Sequence, residues 1–345
     1  MPEKVAKPAK QLTGAATIYD IAKLAGVNPS TVSRALTTPG RISAKTEEKI
    51  RAAAAELNYR VNPFARALPT GRTRLLAVTI ADITNPVFFD VVRGAEQVAG
   101  EAGYTLVIAE SQESSTKEAS ALERILPMVD GVILATTRLS DDEIRAINSD
   151  KPVILMNRVV DGVENVVPDT ESGISEAMQH LASLGHKQIA FLGGPSASWM
   201  NGKRWESIVR QALELGVSAV EIGPNPPTLE AGRAALDRVR VSGVTAVIAY
   251  NDLMAIGLLQ AAADAGIRVP DDLSIVGFDN SFGSDFTSPG LTTVRQPLLE
   301  LGSQAVRNML AGLDASDAGV ETPLSTDSLR TSLVVRGSTG QARTR

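Results

Sequence analysis

Arg34 follows Pro29, Ser30 and Ser33, and all four fall on one side of a short helix if residues 29–36 are helical. A guanidinium on such a face can donate two parallel hydrogen bonds to guanine O6 and N7, a contact worth about 1–3 kcal/mol of discrimination. The neighbouring residues support the helix. Within residues 17–36, TIYDIAKLAGVNPSTVSRAL, Thr17 and Asp20 have capping-box spacing, and Ile21, Leu24 and Ala25 give a first helix one apolar face. Gly26 can end that helix, because glycine takes the left-handed conformation at little cost. Asn28 can cap a second helix, in whose first turn Pro29 loses no needed donor, and Val32, Ala35 and Leu36 turn inward. Two short helices joined by a tight turn make a helix-turn-helix, whose exposed face fits a DNA major groove.

The elements that would carry this pair follow in order. Ser43 can cap a third helix over residues 44–57, where Ile50, Ala53, Ala54 and Leu57 recur at helical spacing and close a three-helix head. Next comes RVNPFARALPTGRTR, a short helical pattern at 64–68 between prolines, too short to be stable alone in water. It is either a linker or a segment that folds only on a surface that holds it. From Leu75 the texture changes. LLAVTI, TLVIA, GVILA and PVILM are continuous apolar runs separated by helical patterns at 86–102 and 116–126. Such runs predict parallel strands covered on both faces. The rhythm restarts at QIAFLGG and continues through TAVIAY and LSIVGF, giving two α/β units joined near 165–170 and 290–296.

Composition bounds the rest. The 345 residues suffice for two or three domains, and 43% apolar content allows a sizeable core. With no cysteine there is neither a disulfide framework nor a thiolate metal site. No apolar run reaches the roughly 18 residues of a membrane span, and MPEKVAKPAKQLTGAA has lysines but no apolar core of a secretory signal. A cytoplasmic protein is expected. The net charge of −5 is segregated: residues 1–74 hold 13 Lys and Arg against 5 Asp and Glu, net +8, which leaves −13 for the remainder. That distribution suggests a nucleic-acid-binding head on an acidic body, although basic termini can also serve only solubility.

TIYDIAKLAGVNPSTVSRAL and RISAKTEEKIRAAAAELNYRVNPFARAL resemble the lac repressor/galactose repressor family. Further matches are ITNPVFFDVVRG, DGVILA, Asn157-Arg158, HLASLGHKQIAFLGG, YNDLMAIG, VPDDLSIVGFDN and LTTVRQP, so the resemblance spans about residues 17–336. It implies a small all-α helix-turn-helix head and an α/β two-lobed body like periplasmic sugar-binding proteins, with parallel sheets covered by helices on both faces. The expected organisation is a disordered basic leader at 1–16, a DNA-binding domain at 17–60 and a hinge helix at 61–73. The N-terminal lobe takes 74–169 and 296–325, the C-terminal lobe 170–295 and 326–336, and 337–345 form a disordered tail. The implied function is a ligand-responsive regulator, most simply a repressor, that binds a palindromic double-stranded DNA operator as a homodimer. Without C-terminal heptads, no tetramer is expected. The sign of the effector's action is open, because the family contains both kinds.

The resemblance extends to individual positions. Arg34, Pro29 and Ser30 lie on the base-reading face. Thr17, Tyr19, Asn28, Ser33, Arg41 and Ser43 are candidates for phosphate contacts, which fix register without reading sequence; Thr17, Asn28 and Ser43 can equally serve only as caps. Leu68 matches an intercalating hinge leucine, and Asn62 and Ala65 match its groove contacts.

The implied effector residues are Asn85, Phe88, Asn157, Arg158, Arg204, Asn251, Asp279 and Gln296. All but Gln296 lie near C-terminal ends of expected strands, where open α/β sheets bind ligands. The set suits a hydroxyl-rich molecule, a sugar or sugar phosphate, with a purine or another metabolite as the alternative. Val87 stands where sugar-binding relatives often have an aromatic, Ser207 replaces a usual glycine, and Trp199 or Trp205 is the candidate substitute stacking surface. Structural readings stand beside these: Asn251 and Asp252 as a helix cap, and Arg158 with Asp279 as an ion pair across the cleft. His180 and His186, the only histidines, have no third ligand beside them, so no metal or cofactor is expected. No GxSxG, GxGxxG or P-loop supports an enzyme, and a sugar receptor with no DNA role would need export.

Overall fold

The computed structural model describes residues 16–37, 41–59, 71–318 and 329–343. They fall into two compact units, divided between Thr73 and Arg74.

The head consists of α1 (Ile18–Ala25), α2 (Pro29–Thr37) and α3 (Ala44–Glu56) around Ile21, Ala22, Val32, Ala35, Ile50 and Ala53, all buried. The expected capping box forms: the Thr17 hydroxyl faces the Asp20 amide, and the Thr17 amide donates to Asp20 Oδ2 at 2.9 Å. Gly26 ends α1 at φ 67°. One expectation fails here. Leu24 is not part of the apolar face but 46% exposed, and Ala22 takes the inward position beside Ile21.

The N-terminal lobe of the body alternates β1 (Leu75–Ile80), α4 (Val87–Glu101), β2 (Thr105–Glu110), α5 (Ser115–Ile125), β3 (Gly131–Leu134), α6 (Asp141–Asp150), β4 (Val153–Met156) and β5 (Glu164–Val166). Its strands are parallel in the order β2-β1-β3-β4-β5, with Leu75 opposite Thr105 and Leu76 opposite Gly131. The C-terminal lobe adds α7 (Thr170–Ser183), β6 (Gln188–Leu192), α8 (Trp199–Leu215), β7 (Ser218–Glu221), α9 (Leu229–Ala234), α10 (Leu236–Ser242), β8 (Ala246–Ala249), α11 (Asp252–Asp264), β9 (Ser274–Asp279) and β10 (Thr292–Arg295). The chain then returns to the first lobe as α12 (Leu298–Ala318) and ends in the second with β11 (Ser332–Val334). The second sheet runs β11-β10-β9-β8-β6-β7, with only β11 antiparallel. Apolar clusters cover both faces of each sheet, which is why the strand sequences are continuous rather than alternating. The run TLVIA is the exception: it forms edge strand β2, and Ile108 is 43% exposed. Among the described residues no helix is long and apolar enough to cross a membrane.

Two glycines let α4 and α12 touch. A Cβ on Gly94 would lie 1.9 Å from the Leu299 carbonyl oxygen, and one on Gly302 would lie 1.9 Å from that of Val91. Both obstacles are backbone, so neither can rotate away. Gly94→Ala should therefore lower body stability by about 1–3 kcal/mol, measured by urea unfolding followed by circular dichroism. An unchanged midpoint would show that the helices separate freely.

The tail corrects another expectation. Residues 337–345 were expected to be disordered, yet the described part, 337–343, is strapped to the C-terminal lobe. Ser338 is fully buried; its hydroxyl donates to the Ile275 carbonyl at 2.6 Å and accepts from the Thr292 amide at 2.8 Å. The Ala342 amide donates to the Leu184 carbonyl. Both histidines face the strap: His180 Nε2 lies 2.9 Å from Thr339 Oγ1, and His186 Nε2 lies 3.1 Å from the Gly340 carbonyl. Burial depresses the pKa of both rings. A depressed histidine pKa adds stability above the unfolded value, near 6.5, and loses it as pH falls through the folded value. Melting temperature should fall on acidification from pH 7 to 5, and the His180→Asn/His186→Asn double variant should fall less. Parallel profiles would clear the histidines of any part.

Candidate functional site

On the head, α2 presents Ser30 and Arg34 exposed, with Pro29 and Ser33 half-buried beside them. Val32 and Ala35 on the opposite side lie in the core, so the helix cannot turn its polar face inward without losing them. Tyr19 is 69% exposed on α1. Thr17, Asn28, Arg41 and Ser43 are exposed at or beside helix starts. Ser43 accepts from the Thr46 amide, and the Asn28 carbonyl accepts the first amides of α2. Thr17 and Ser43 thus cap with their hydroxyls and Asn28 with its carbonyl, and all three remain exposed. Asn62, Ala65 and Leu68 lie outside the described residues.

Within the body, all the effector residues named from the sequence line one cavity: Asn85, Phe88, Asn157, Arg158, Arg204, Asn251, Asp279 and Gln296. Its free space is about 70 Å³. One water needs about 10–15 Å³ by the same measure, so a single compact polar molecule fills it. Phe88 is buried on the first turn of α4 and forms an apolar wall. Asn85 Oδ1 accepts from the Val87 amide at 3.2 Å, which fixes the turn into that helix.

The charged groups are arranged in pairs. Arg158 donates to the Leu139 carbonyl and to Asp141, each at 2.6 Å. Arg138 pairs with Glu113 at 2.6 Å. Arg204, 5% exposed, lies 3.8 Å from Asp279, stacks 3.7 Å over the Phe278 ring and donates to the Tyr250 carbonyl. Arg158 and Asp279 thus do not pair across the cleft; each has a partner in its own lobe. Gln296 Nε2 donates to Asp279 Oδ1 at 2.6 Å. Burial pushes the Asp279 carboxyl up to about 8, opposed by Arg204 and reinforced by nearby Asp252.

Three buried polar atoms of this wall have no partner: Arg204 Nε, Gln296 Oε1 and Thr136 Oγ1. Buried groups of this kind are normally hydrogen-bonded, so each one missing a partner calls for an explanation. The backbone is also held in rare conformations here, at φ 117° for Asp279 and 59° for Asn157. Such strain persists where the surroundings over-determine it.

The structural reading of Asn251 holds: it caps α11 at 2.9 Å and donates to the Pro227 carbonyl at 3.0 Å. Asp252 does more than cap. It is buried, and it ties α11 to Ser281 and to Thr293 on β10. Val87 and Trp199 line the cavity, whereas Trp205 stacks on Phe191 in the core at 6.0 Å. Ser207 is buried on α8. Sequence reasoning missed Arg138, Glu113, Ser198 and Tyr250. Arg138 and Tyr250 follow β3 and β8, so the strand-end rule would have found them had it been applied to every strand.

Residues 17–62 match the family described as bacterial regulatory proteins, lacI family, and residues 178–339 match the periplasmic binding protein-like domain. The chain is 36% identical to the HTH-type transcriptional regulator DegA of Bacillus subtilis (strain 168), over 95% of this chain and 99% of that one. Its fold is similar to the lac repressor dimer solved with operator and the anti-inducer ONPF, with TM-score 0.82 and 28% identity over 95% of this chain and 100% of the other. A LacI family regulator from Enterococcus faecium with bound ribose is similar over 78% of this chain and all of its own, with TM-score 0.69 and 27% identity.

Proposed function

Because the chain belongs to the lacI family of bacterial regulatory proteins, a transcriptional repressor that binds operator DNA as a dimer under control of a small molecule, we propose that its effector is a neutral sugar. The single observation carrying this reading is the trio of unpartnered polar atoms, Arg204 Nε, Gln296 Oε1 and Thr136 Oγ1, around a cavity walled by Phe88 and Trp199. A sugar offers hydroxyls that both donate and accept, together with an apolar ring face. Two donors or acceptors and one hydroxyl in the wall match that chemistry. The charge pattern favours a neutral molecule over a phosphorylated one. Arg138 and Arg158 each already hold a carboxylate at 2.6 Å, which leaves Arg204 as the one open cation among the described lining residues rather than a cluster awaiting a phosphate. The ribose in the Enterococcus faecium relative is in keeping with this.

On the DNA side, the proposal assigns base reading to Arg34 with Pro29 and Ser30. Backbone contacts fall to Thr17, Tyr19, Asn28, Ser33, Arg41 and Ser43. Asn62, Ala65 and Leu68 are assigned to the minor groove at the operator centre by resemblance. A protein with these partners acts in the cytoplasm.

A thermal-shift screen of the full chain with neutral sugars, sugar phosphates and purines tests the effector. A ligand of the native state raises the midpoint with concentration. Stabilisation by a neutral sugar, followed by a change in operator affinity with the same compound, is expected. Stabilisation by sugar phosphates or purines alone would overturn the assignment.

A further inference from the structure

A second group of unpartnered buried atoms lies on the other face of the N-terminal sheet from Phe88. Thr79 Oγ1, Ser111 Oγ and Glu118 Oε1 have no hydrogen-bond partner, and the three residues are 2%, 1% and 1% exposed. The strand register gathers them. Leu76, Val78 and Ile80 on β1 face the core shared with α4 and α12, whereas Ala77 faces the opposite core, under α5 and α6. Thr79, two residues on, shares the Ala77 face. Ala109 on β2 lies opposite Thr79. Ser111, again two residues on, continues the ladder, its amide donating to the Ile80 carbonyl at 2.9 Å. Glu118 sits on α5 one turn before Leu122, which packs in that same core. Two hydroxyls and a carboxylate oxygen are thus placed together beneath the first turn of α5. The turn into that helix is strained: Gln112 and Glu113 lie at φ 50° and 58°, a left-handed pair that usually takes glycine or asparagine.

The other carboxylate oxygen of Glu118 is engaged. Oε2 accepts from the Arg138 amide at 2.9 Å, which ties α5 to the loop after β3. Thr137 and Arg138 of that loop line the effector cavity. The nearest cations are committed elsewhere: Arg138 holds Glu113 and Arg158 holds Asp141, each at 2.6 Å. Burial keeps the Glu118 carboxyl above the usual glutamate range, against the pull of the Arg138 amide, the Thr137 hydroxyl and both arginines.

We propose that Thr79, Ser111 and Glu118 bind a monovalent alkali cation, which braces the loop after β3 from behind the effector cavity. The inference does not depend on which effector that cavity takes. A water would match the three oxygens but leave the carboxylate charge uncompensated in the interior, where an unpaired charge is costly. A proton on Oε1 would serve at most one of the two hydroxyls. A cation takes lone pairs from all three oxygens at once and cancels the charge. The enclosed setting and the single carboxylate argue against a divalent ion. Ca²⁺ takes about six to eight oxygens and Mg²⁺ keeps several waters. Among the described residues no three His, Cys, Asp or Glu side chains gather as a metal site.

The test is thermal unfolding of the full chain, without DNA, at neutral pH in lithium, sodium, potassium or choline chloride of equal ionic strength. One alkali cation should raise the melting temperature of the body by about 2 °C or more over choline, with a saturating dependence on its concentration. Glu118→Gln keeps an acceptor for the Arg138 amide and should abolish that difference. Thr79→Val, which keeps the volume, and Ser111→Ala should each reduce it, and they serve in its place if the Glu118 variant does not fold. Asp142→Asn, at the exposed start of α6, should retain the difference in full. Equal midpoints in all four salts would assign the spot to water or a proton. An ion-specific shift that survives the Glu118, Thr79 and Ser111 substitutions would place the cation elsewhere. Either result overturns the inference.

Discussion

Replacing Arg34 by alanine should raise the dissociation constant for the operator about 10–100-fold while leaving affinity for random duplex nearly unchanged. The argument is geometric. Arg34 is exposed on α2, whose opposite side is locked into the core by Val32 and Ala35, so its guanidinium is carried wherever that helix docks. A bidentate contact to guanine discriminates by about 1–3 kcal/mol, which sets the expected range. A phosphate contact behaves differently: its loss weakens all sequences alike and lowers the salt slope by about one. The measurement is fluorescence anisotropy at several salt concentrations, using an operator selected from random duplexes by the full chain. Equal losses on operator and random duplex, with a shallower slope, would reduce Arg34 to a backbone contact.

The head was largely legible because its signals are local. The Thr17–Asp20 box, Gly26 and the Ser43 cap each act within three or four residues, and each forms as its spacing predicts. Leu24 was misread because a helical stripe says which residues share a side, not how far a small core reaches. With Ala22 and Ile21 filling the contact, Leu24 is left at the rim. In the body, the strands were legible as apolar runs, but their order was not. Nothing in TLVIA tells an edge strand from a central one, since that depends on which strand the chain places beyond it. The tail was illegible for a similar reason. Its hold comes from backbone hydrogen bonds and from Ser338 and Thr339 meeting groups more than a hundred residues away in some cases, and such contacts leave no periodic mark.

The cavity-lining residues were found where a strand end and a family motif coincided, as at Asn157 and Asp279. Pairing was not. The sequence places Arg158 and Asp279 at two strand ends and permits a pair between them, whereas Asp141, at the start of α6, meets Arg158 first at 2.6 Å. The unpartnered atoms that point to a ligand could not be read at all, because an absence of hydrogen bonds exists only once every neighbour is placed.

Asp279→Asn should make the body more stable than the parent protein at pH 8 but not at pH 4–5, and should weaken effector binding about tenfold or more. Burial raises the Asp279 pKa to about 8 in the folded protein, against 3.8 unperturbed. A raised pKa contributes stability that is complete below the unfolded value and is lost as pH climbs through the folded one. The loss therefore builds from about pH 4 to about pH 8. Asparagine has no proton to lose, keeps an oxygen for Gln296 and so escapes that loss. Asp252, raised to about 6 by its own burial, is present in both proteins and interacts with Asp279, so the difference between the two melting profiles reads Asp279 together with its effect on Asp252. Ligand hydroxyls donating to the carboxylate favour its charged form. Effector affinity of the parent should accordingly rise with pH between 6 and 9, and that of the variant should stay flat. Differential scanning calorimetry and titration at matched pH values measure both quantities. A melting difference that stays constant from pH 4 to 8 would show that Asp279 is ionised throughout and that Arg204, rather than burial, governs it.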